Sequence, residues 1–319
     1  MRVAVVGAGG VGGMLGALLA RAGKDVTLIA RGANLKTLRA DGLTLKTLDD
    51  GDVHLEVRAT DDPREVGPVD LVWFCVKTYD VEAAARQAAP LVGPGTLILT
   101  PQNGVEAADQ VAAVLGGDHV LGCAAVAGGT LVAPGLVAQK VRRQHIKLGE
   151  LSGGASRRAD ELRDFLRDGF LRGGIETEVS SDIRREIWEK LVVTCVTLGL
   201  VSLTRLPVSW LYSRPRSAAL VRGVMEEAAA VARSKGVALP KTRADELFEW
   251  LRKLAEANPF ARGSMYFDLI EGRRLELEAI NGAVSRMGRE LGVPTPLNDV
   301  VYAALEPYAD GASAITAQA

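Results

Sequence analysis

Apolar and polar positions follow two different rhythms along this chain. In "MRVAVVGAGGVGGMLGALLARAGKDVTLIAR" a short β-branched run leads into a glycine turn. An alanine- and leucine-rich helical stretch and a second short strand, "DVTLIA", follow. That order predicts a βαβ unit. Further β-rich runs, "DLVWFCVK", "TLILTPQNG", "HVLGCAAVA" and "HIKLGEL", come later, the first of them alternating with the helical stretches "DVEAAARQAAPL" and "GVEAADQVAAVL". Alternation of this kind predicts an α/β fold built on a doubly wound parallel sheet. From Ser180 onward the β pattern gives way to helical spacing in "SDIRREIWEKLVVTCVTLGLVSLT", "PRSAALVRGVMEEAAAVARSKGV", "TRADELFEWLRKLAEAN" and "RLELEAINGAVSRMGRELGV". Glycine and proline punctuate these segments, so the second domain is expected to be all-helical. The expected domains are therefore residues 1–180 and 181–319.

The turn after the first strand is Gly7-Ala8-Gly9-Gly10-Val11-Gly12, and it carries the G-x-G-x-x-G order. In that setting Gly7 permits the tight turn, Gly9 lets backbone approach a pyrophosphate, and Gly12 lets helix and strand pack closely. The helix that follows points unpaired N–H groups and its positive dipole end at an anion. The first domain thus reads as a Rossmann-type dinucleotide-binding domain. At the end of the second strand, where an NAD enzyme places Asp or Glu, the chain has Ala30-Arg31-Gly32. Arg31, with Lys36 near it in sequence, suits a 2′-phosphate, so NADP(H) is the expected cofactor. Lys77 in "CVKTYD" and Asn103 in "PQNG" fall at the carboxyl ends of two further strands, the rim where ligands of such sheets lie.

Two charges interrupt apolar stripes in the helical half. Lys190 opens the run "LVVTCVTLGL", with Thr194 and Thr197 at i+4 and i+7 on its side of a helix. Glu276 stands one helical turn before Ile280, whose stripe continues through Ala283, Val284, Met287 and Leu291. A snorkelling lysine paired with Glu186 at i−4, and a carboxylate favoured near a helix start, are the structural alternatives. Buried charge is costly unless paired, and perturbed titrating groups concentrate at functional sites.

Composition narrows the partners. With 38 Lys plus Arg against 39 Asp plus Glu, no overall field favours nucleic acid or a membrane surface. Cys75, Cys123 and Cys195 form no CxxC pair, and the three histidines show no ligand spacing, so no metal is expected. The apolar start after Arg2 continues into glycines, Arg21 and Lys24 without a cleavage-type site, so no signal peptide is expected. With no uninterrupted apolar stretch of about 18 residues, no membrane span is expected either. The expected location is cytoplasmic.

Taken together, "VGAGGVGG", "CVKTYD", "PQNG", "EIWEKL", "GSMYFDLIEGRRLELEAINGAV" and "RELGVPTP" resemble the ketopantoate reductase (2-dehydropantoate 2-reductase) family from Met1 to about Pro307. The resemblance implies NADPH-dependent reduction of a 2-oxo acid, ketopantoate to pantoate in pantothenate biosynthesis. By position it makes Lys190 the catalytic lysine and Glu276 the glutamate at cofactor and substrate. Ser264 becomes a substrate serine, and Asn103 a residue touching both nicotinamide and substrate; Arg31 and Lys77 fall near the 2′-phosphate and the cofactor. Thr194 and Leu198 stand where the pantoate-forming enzymes carry asparagines, which bears on the substrate. A relative acting on a more apolar 2-oxo acid or ketone, and a non-catalytic NADP(H) sensor, are the alternatives. A homodimer through the helical half is the assembly the sequence leaves open.

Overall fold

The computed structural model describes residues 1–142 and 144–311. The small, polar tail "DGASAITAQA", whose composition predicts fraying, lies from residue 312 on outside the described residues. The chain forms two compact units. One comprises Met1–Gln102 with Glu106–Glu186, the other Asn103–Val105 with the residues from Ile187 on.

The first unit is built on an eight-stranded sheet. Its strands are β1 (Arg2–Val6), β2 (Asp25–Ile29), β5 (Arg58–Thr60), β6 (Leu71–Phe74), β7 (Leu97–Thr100), β8 (Val120–Val126), β11 (Gln144–Glu150) and β12 (Ile175–Val179). They lie in the order β5–β2–β1–β6–β7–β8–β11–β12. Alternate residues of the central strands feed two cores. Val3, Val5, Leu71 and Trp73 face Met14, Leu15, Leu18 and Phe170, whereas Ala4, Val6, Val72 and Phe74 face Val81, Ala85 and Val111. Burial on both faces explains why these strands read as continuous apolar runs. The Trp73 ring meets Phe170 edge-on, with centroids 5.6 Å apart. β1 is flanked by β2 and β6, both parallel to it, so the strand order reverses beside β1.

Two features depart from the sheet expected from sequence. β11 runs antiparallel to β8, with Ile146 opposite Ala125 and Leu148 opposite Cys123, so the sheet is mixed at that edge. A second sheet, β4–β3–β10–β9, is formed by Leu43–Lys46 (β3), Asp52–Leu55 (β4), Gly129–Ala133 (β9) and Leu136–Gln139 (β10). Strand direction leaves no trace in apolar periodicity. The short strands β4 and β9 are largely exposed: β4 mixes polar and apolar residues, and the apolar Leu131 and Val132 of β9 lie at the surface.

The second unit is helical and contains its own core. The run Ile183–Thr204 is one 22-residue helical stretch, long and apolar enough by length to cross a membrane. From Trp188 on, its apolar side chains, Leu191, Val192, Cys195, Val196, Leu200 and Val201, are core residues of this unit, which accounts for their character. The stretch is α-helical over Ile183–Thr194, π-helical over Cys195–Leu200 and α-helical again over Val201–Thr204. The helices Pro215–Ser234 and Arg243–Ala257 match two of the spacing-derived segments. The last long segment does not. Leu277–Ala279 is a 3-10 turn, the helix starts at Asn281, and a further helix, Pro296–Leu305, follows it. Ile280, Ala283, Val284 and Met287 are buried as expected, while Leu291 at the helix end is exposed.

Sequence composition placed the change of character at residues 180–181, whereas the units part between Glu186 and Ile187. Ile183 explains the difference. A side chain on Gly122 of β8 would meet Ile183 Cγ2 at 2.8 Å, and one on Gly149 of β11 would meet Ile183 Cβ at 3.3 Å. The first turn of that helix is thus part of the sheet unit's packing.

A buried amide network holds the π-helical segment. Asn281, fully buried, donates from Nδ2 to the Cys195 carbonyl at 3.3 Å and to Asn298 Oδ1 at 2.9 Å. Asn298 Nδ2 in turn donates to the Val224 carbonyl at 3.1 Å and to Glu227 Oε2 at 2.8 Å. Glu227 also accepts from the backbone N–H groups of Leu297 and Asn298, both at 2.9 Å, at the start of the helix Pro296–Leu305. Gly199 leaves room for Asn281, because a Cβ there would collide with the amide. Replacing Asn281 with Ala strands the Cys195 carbonyl and the Asn298 acceptor. Denaturant unfolding should show a loss of about 1–3 kcal/mol, the cost of unsatisfied buried polar groups; an unchanged midpoint would mean the network is idle.

Candidate functional site

Three glycines of the first turn do three separate jobs. Gly7 has φ +99°, a conformation open to glycine but strained for other residues, and its backbone passes against Cys75 and Val76. Gly12 lies so close to the Gly7 carbonyl and Cys75 Cβ that any side chain would collide. Gly9, in contrast, has nothing within 4 Å of where a Cβ would stand. The helix Gly10–Arg21 begins beside it, with no side-chain cap on its N-terminal N–H groups and no acid in its first turn. A turn bare of side chains, facing uncapped N–H groups, fits a dinucleotide pyrophosphate. Gly10 has a role that sequence reading missed, since its backbone packs directly on Gly129 at the start of β9. Val11 is partly buried and Ala8 buried, and the Ala8 carbonyl accepts from Asn34 Nδ2 at 2.8 Å. Asn34 Oδ1 accepts from Gly135 N at 2.8 Å, so this one amide ties the turn to the second sheet.

Around this turn the sheet unit places its expected cofactor residues. Arg31 follows β2 and precedes the helix Gly32–Asp41, with no acid at the strand's end. Its side chain is 89% exposed and meets Asp80 Oδ2 at 3.3 Å. Lys77, partly buried, follows β6 and directly precedes the 3-10 turn Thr78–Asp80. Gln102 donates to the carbonyls of Phe74 and Val76, fixing the end of β6 from which Lys77 projects. Burial, and after it the nearby Cys123, pushes the Cys75 thiol well above its ordinary range, so it lines the turn as an inert neutral group.

The remaining expected residues, Lys190, Thr194, Ser264, Glu276 and Asn103, belong to the helical unit. Asn103 had been grouped with Lys77 on the sheet rim. It does follow the carboxyl end of β7, and its contacts are with the helices, where Asn103 Nδ2 donates to Glu276 Oε2 at 3.3 Å, Gly104 (φ +79°) passes the Ala279 carbonyl, and Val105 packs on the core. Glu276 is only 6% exposed. It reaches that burial ahead of a 3-10 turn and not on the helix that the spacing suggested. Lys190 is partly buried in the last turns of Ile183–Thr194. Glu186, the i−4 acid, pairs with Lys147 Nζ at 3.0 Å. Glu189, beside Lys190 in sequence, is clasped by Arg243 at 2.7 Å, the hydrogen bond that most raises that guanidinium's pKa.

The π-helical segment changes which residues continue the Lys190 line. An i→i+5 helix brings residues four to five positions apart into register, so Leu198 and Gly199 follow Thr194, and Thr197 turns aside. The Thr194 hydroxyl donates to the Leu191 carbonyl at 3.2 Å. Leu198 is buried against Gly263, whose Cβ would strike both Leu198 and the Thr197 carbonyl. Ser264 is exposed at the start of the helix Ser264–Ile270. π-helical segments recur at functional sites, yet no residue pattern in "TCVTLGL" announces one.

Comparison with known proteins bears on the whole length. Residues 3–153 match the family model "Ketopantoate reductase PanE/ApbA", and residues 182–309 match its C-terminal counterpart. A 2-dehydropantoate 2-reductase of Mesorhizobium japonicum is 32% identical over 95% of this chain and 96% of its own. One from Halobacterium salinarum is 30% identical over 93% and 95%. Among solved structures, a PanE/ApbA family ketopantoate reductase from Ralstonia eutropha superposes with a TM-score of 0.86 at 33% identity, covering 100% of both chains. A 2-dehydropantoate 2-reductase from Geobacter metallireducens gives 0.87 at 32% identity, covering 96% of this chain and 99% of its own.

The glycine geometry separates ligand contact from packing. Gly9→Ala adds a methyl to open space and should leave thermal stability near wild type while weakening dinucleotide binding at least about tenfold, since backbone can no longer approach the phosphates. Gly12→Ala should cost roughly 1–3 kcal/mol of stability through overpacking. Calorimetric titration and melting curves of both variants test the distinction, and a stable Gly9→Ala protein with unchanged affinity refutes it.

Proposed function

The chain belongs to the ketopantoate reductase family, and on that footing we propose that it is an NADPH-dependent reductase of 2-oxo acids, of the 2-dehydropantoate 2-reductase type. The observation that carries the reading is the Asn103–Glu276 pair. An amide and a carboxylate 173 residues apart meet at 3.3 Å with the acid buried, in the unit that also holds Lys190. Gly7, Ala8, Gly9, Gly10, Val11 and Gly12 cradle the pyrophosphate, and Arg31 and Lys77 serve the adenosine-phosphate side. Bound NADPH supplies the hydride that reduces the substrate's ketone. Lys190 binds the carbonyl oxygen through its ammonium, favours negative charge developing there, and gives up a proton to leave the hydroxyl. Glu276 and Asn103 fix the positions of cofactor and substrate, and Ser264 and Thr194 border the substrate. This reading assigns the protein to pantothenate biosynthesis in the cytoplasm, with a homodimer formed through the helical unit as its assembly.

A second reading concerns the substrate. The Thr194 hydroxyl is engaged by its own helix, and Leu198 adds buried apolar surface to the line that continues from Lys190. Both favour a 2-oxo acid less polar than ketopantoate. A panel of 2-oxo acids assayed by NADPH oxidation tests both readings. Reduction of ketopantoate or of an apolar 2-oxo acid is expected, with kcat reduced about 10²–10⁴-fold in Lys190→Ala and NADPH affinity nearly unchanged. Lys190→Ala activity within a few-fold of wild type would remove the lysine from the chemistry.

Cofactor choice rests on Arg31. Its exposed pair with Asp80 is worth about 0–1 kcal/mol, less than the roughly 1.5–3 kcal/mol of a charge-assisted phosphate bond, so the guanidinium can exchange one partner for the other. NADPH should bind at least tenfold tighter than NADH, and Arg31→Ala should abolish most of that margin. Equal affinities in the unaltered protein would overturn the assignment.

A further inference from the structure

We propose that Arg262 is the residue that binds the substrate's carboxylate and so selects 2-oxo acids over neutral ketones; this rests on the reading of the protein as a 2-oxo-acid reductase. A reductase of 2-oxo acids needs a cationic or multiply donating group for the carboxylate in addition to the proton donor at the ketone. The arginines of the helical unit show which is available. Arg222, Arg233, Arg243, Arg252, Arg273, Arg274, Arg286 and Arg289 each have a carboxylate within ion-pair distance. Arg205, Arg214 and Arg216 are exposed to solvent. Among the described residues of this unit, Arg262 is the one partly buried arginine without an acid partner.

Its surroundings hold it ready. The guanidinium lies over the Tyr266 ring at 5.0 Å, which restrains the planar group. Nε is buried with no hydrogen-bond partner, and Nη1 reaches only the Phe260 carbonyl at 3.5 Å. The acids nearest to it in sequence are engaged elsewhere, because Arg273 pairs with both Asp268 and Glu271 and Arg252 pairs with Glu256. Arg233 and Arg243 also carry a buried nitrogen without a partner, so what sets Arg262 apart is the missing acid, and a guanidinium matches a carboxylate in a bidentate fork.

The placement agrees. Arg262 precedes Gly263 and Ser264, and Gly263 is packed on the Thr197 carbonyl and Leu198. That contact seats the loop against the same continuous helical stretch that carries Lys190, eight residues before Leu198, or on the order of 10 Å along the axis. Lysine and arginine side chains extending from those two points are long enough to converge on one small molecule, with Lys190 at the ketone oxygen and Arg262 at the carboxylate. Ser264, exposed beside it, offers a further donor.

The test compares acids with their neutral counterparts. Initial rates of NADPH oxidation are measured with ketopantoate and 2-oxo-3-methylbutanoate, each against its primary amide, for the unaltered enzyme, Arg262→Gln and Arg262→Lys. Arg262→Gln should raise KM for the acids roughly 10- to 100-fold, the worth of a charge-assisted pair, while KM for the amides and the melting temperature stay put. Arg262→Lys, which keeps charge but not the fork, should fall between. An unchanged acid-to-amide ratio in both variants, in an enzyme that still reduces the acids, overturns the role of Arg262 and leaves the 2-oxo-acid reductase reading standing. Failure of the unaltered enzyme to reduce either acid overturns that reading, and this one with it.

Discussion

A carboxylate buried to 6% exposure cannot be left to itself, and much of the helical unit answers to that constraint at Glu276. Removing an ionised group from water is expensive unless hydrogen bonds and opposite charge replace the solvent. Asn103 supplies one such bond, and its supply shapes the chain path. The short segment Asn103–Val105 leaves the sheet unit's sequence and joins the helices, with a left-handed Gly104 to pass Ala279 and Val105 set into the apolar core. Three consecutive residues thus carry a polar contact, a backbone turn and an apolar anchor. The Asn-Gly pair that looks like an ordinary loop turn is what allows a distant amide to reach the acid.

The second constraint is the widened turn after Thr194. Passing from i→i+4 to i→i+5 bonding disturbs the carbonyl ladder, and Asn281 meets the Cys195 carbonyl from the far side of the core. Gly199 is small because Asn281 stands there, and Gly263 is small because Leu198 and the Thr197 carbonyl do. Two glycines and a fully buried amide therefore fix how the residues beyond Lys190 are presented. The geometry is tertiary in origin, which is why local preference in an apolar run of valine, threonine and leucine gives no warning of it.

That contrast also marks how far the sequence could be read. The glycine turn was legible because its steric requirements fall on neighbouring positions, a positive φ at Gly7, open space at Gly9 and close packing at Gly12. The central strands of the main sheet were legible because burial on both faces makes them continuous apolar runs; the edge strands β5 and β12, with polar residues among their positions, were not. The direction of β11 was not, since pairing sense leaves side-chain periodicity unchanged. The second sheet was hidden by exposed residues in β4 and β9. Glu276 was found for an incomplete reason, helical spacing from Ile280, when the structure places it before a 3-10 turn. Its contact with Asn103, 173 residues away, is information that no window of neighbouring residues contains. Resemblance to a family located the candidate residues as single positions; geometry is what groups Asn103 with Glu276 and separates Thr197 from the Lys190 line.

The arginines divide between those that the ion-pair network holds and those that it leaves available. Arg243 clasps Glu189, a side chain only 9% exposed, at 2.7 Å and holds Glu246 at 2.8 Å. A guanidinium held by two acids, one of them buried, cannot be drawn away without stranding a buried charge, so it is structural. Arg31 has a single partner, Asp80, in a pair open to water, and such a pair resists exchange very little. Arg262 has no acid at all and is held by an aromatic face. Tightly paired cations stabilise the fold because they are unavailable, and weakly paired ones remain available because they add little to stability. Ligand recognition in this protein is therefore to be sought where the ion-pair network is thinnest, at positions whose charge the fold itself does not need.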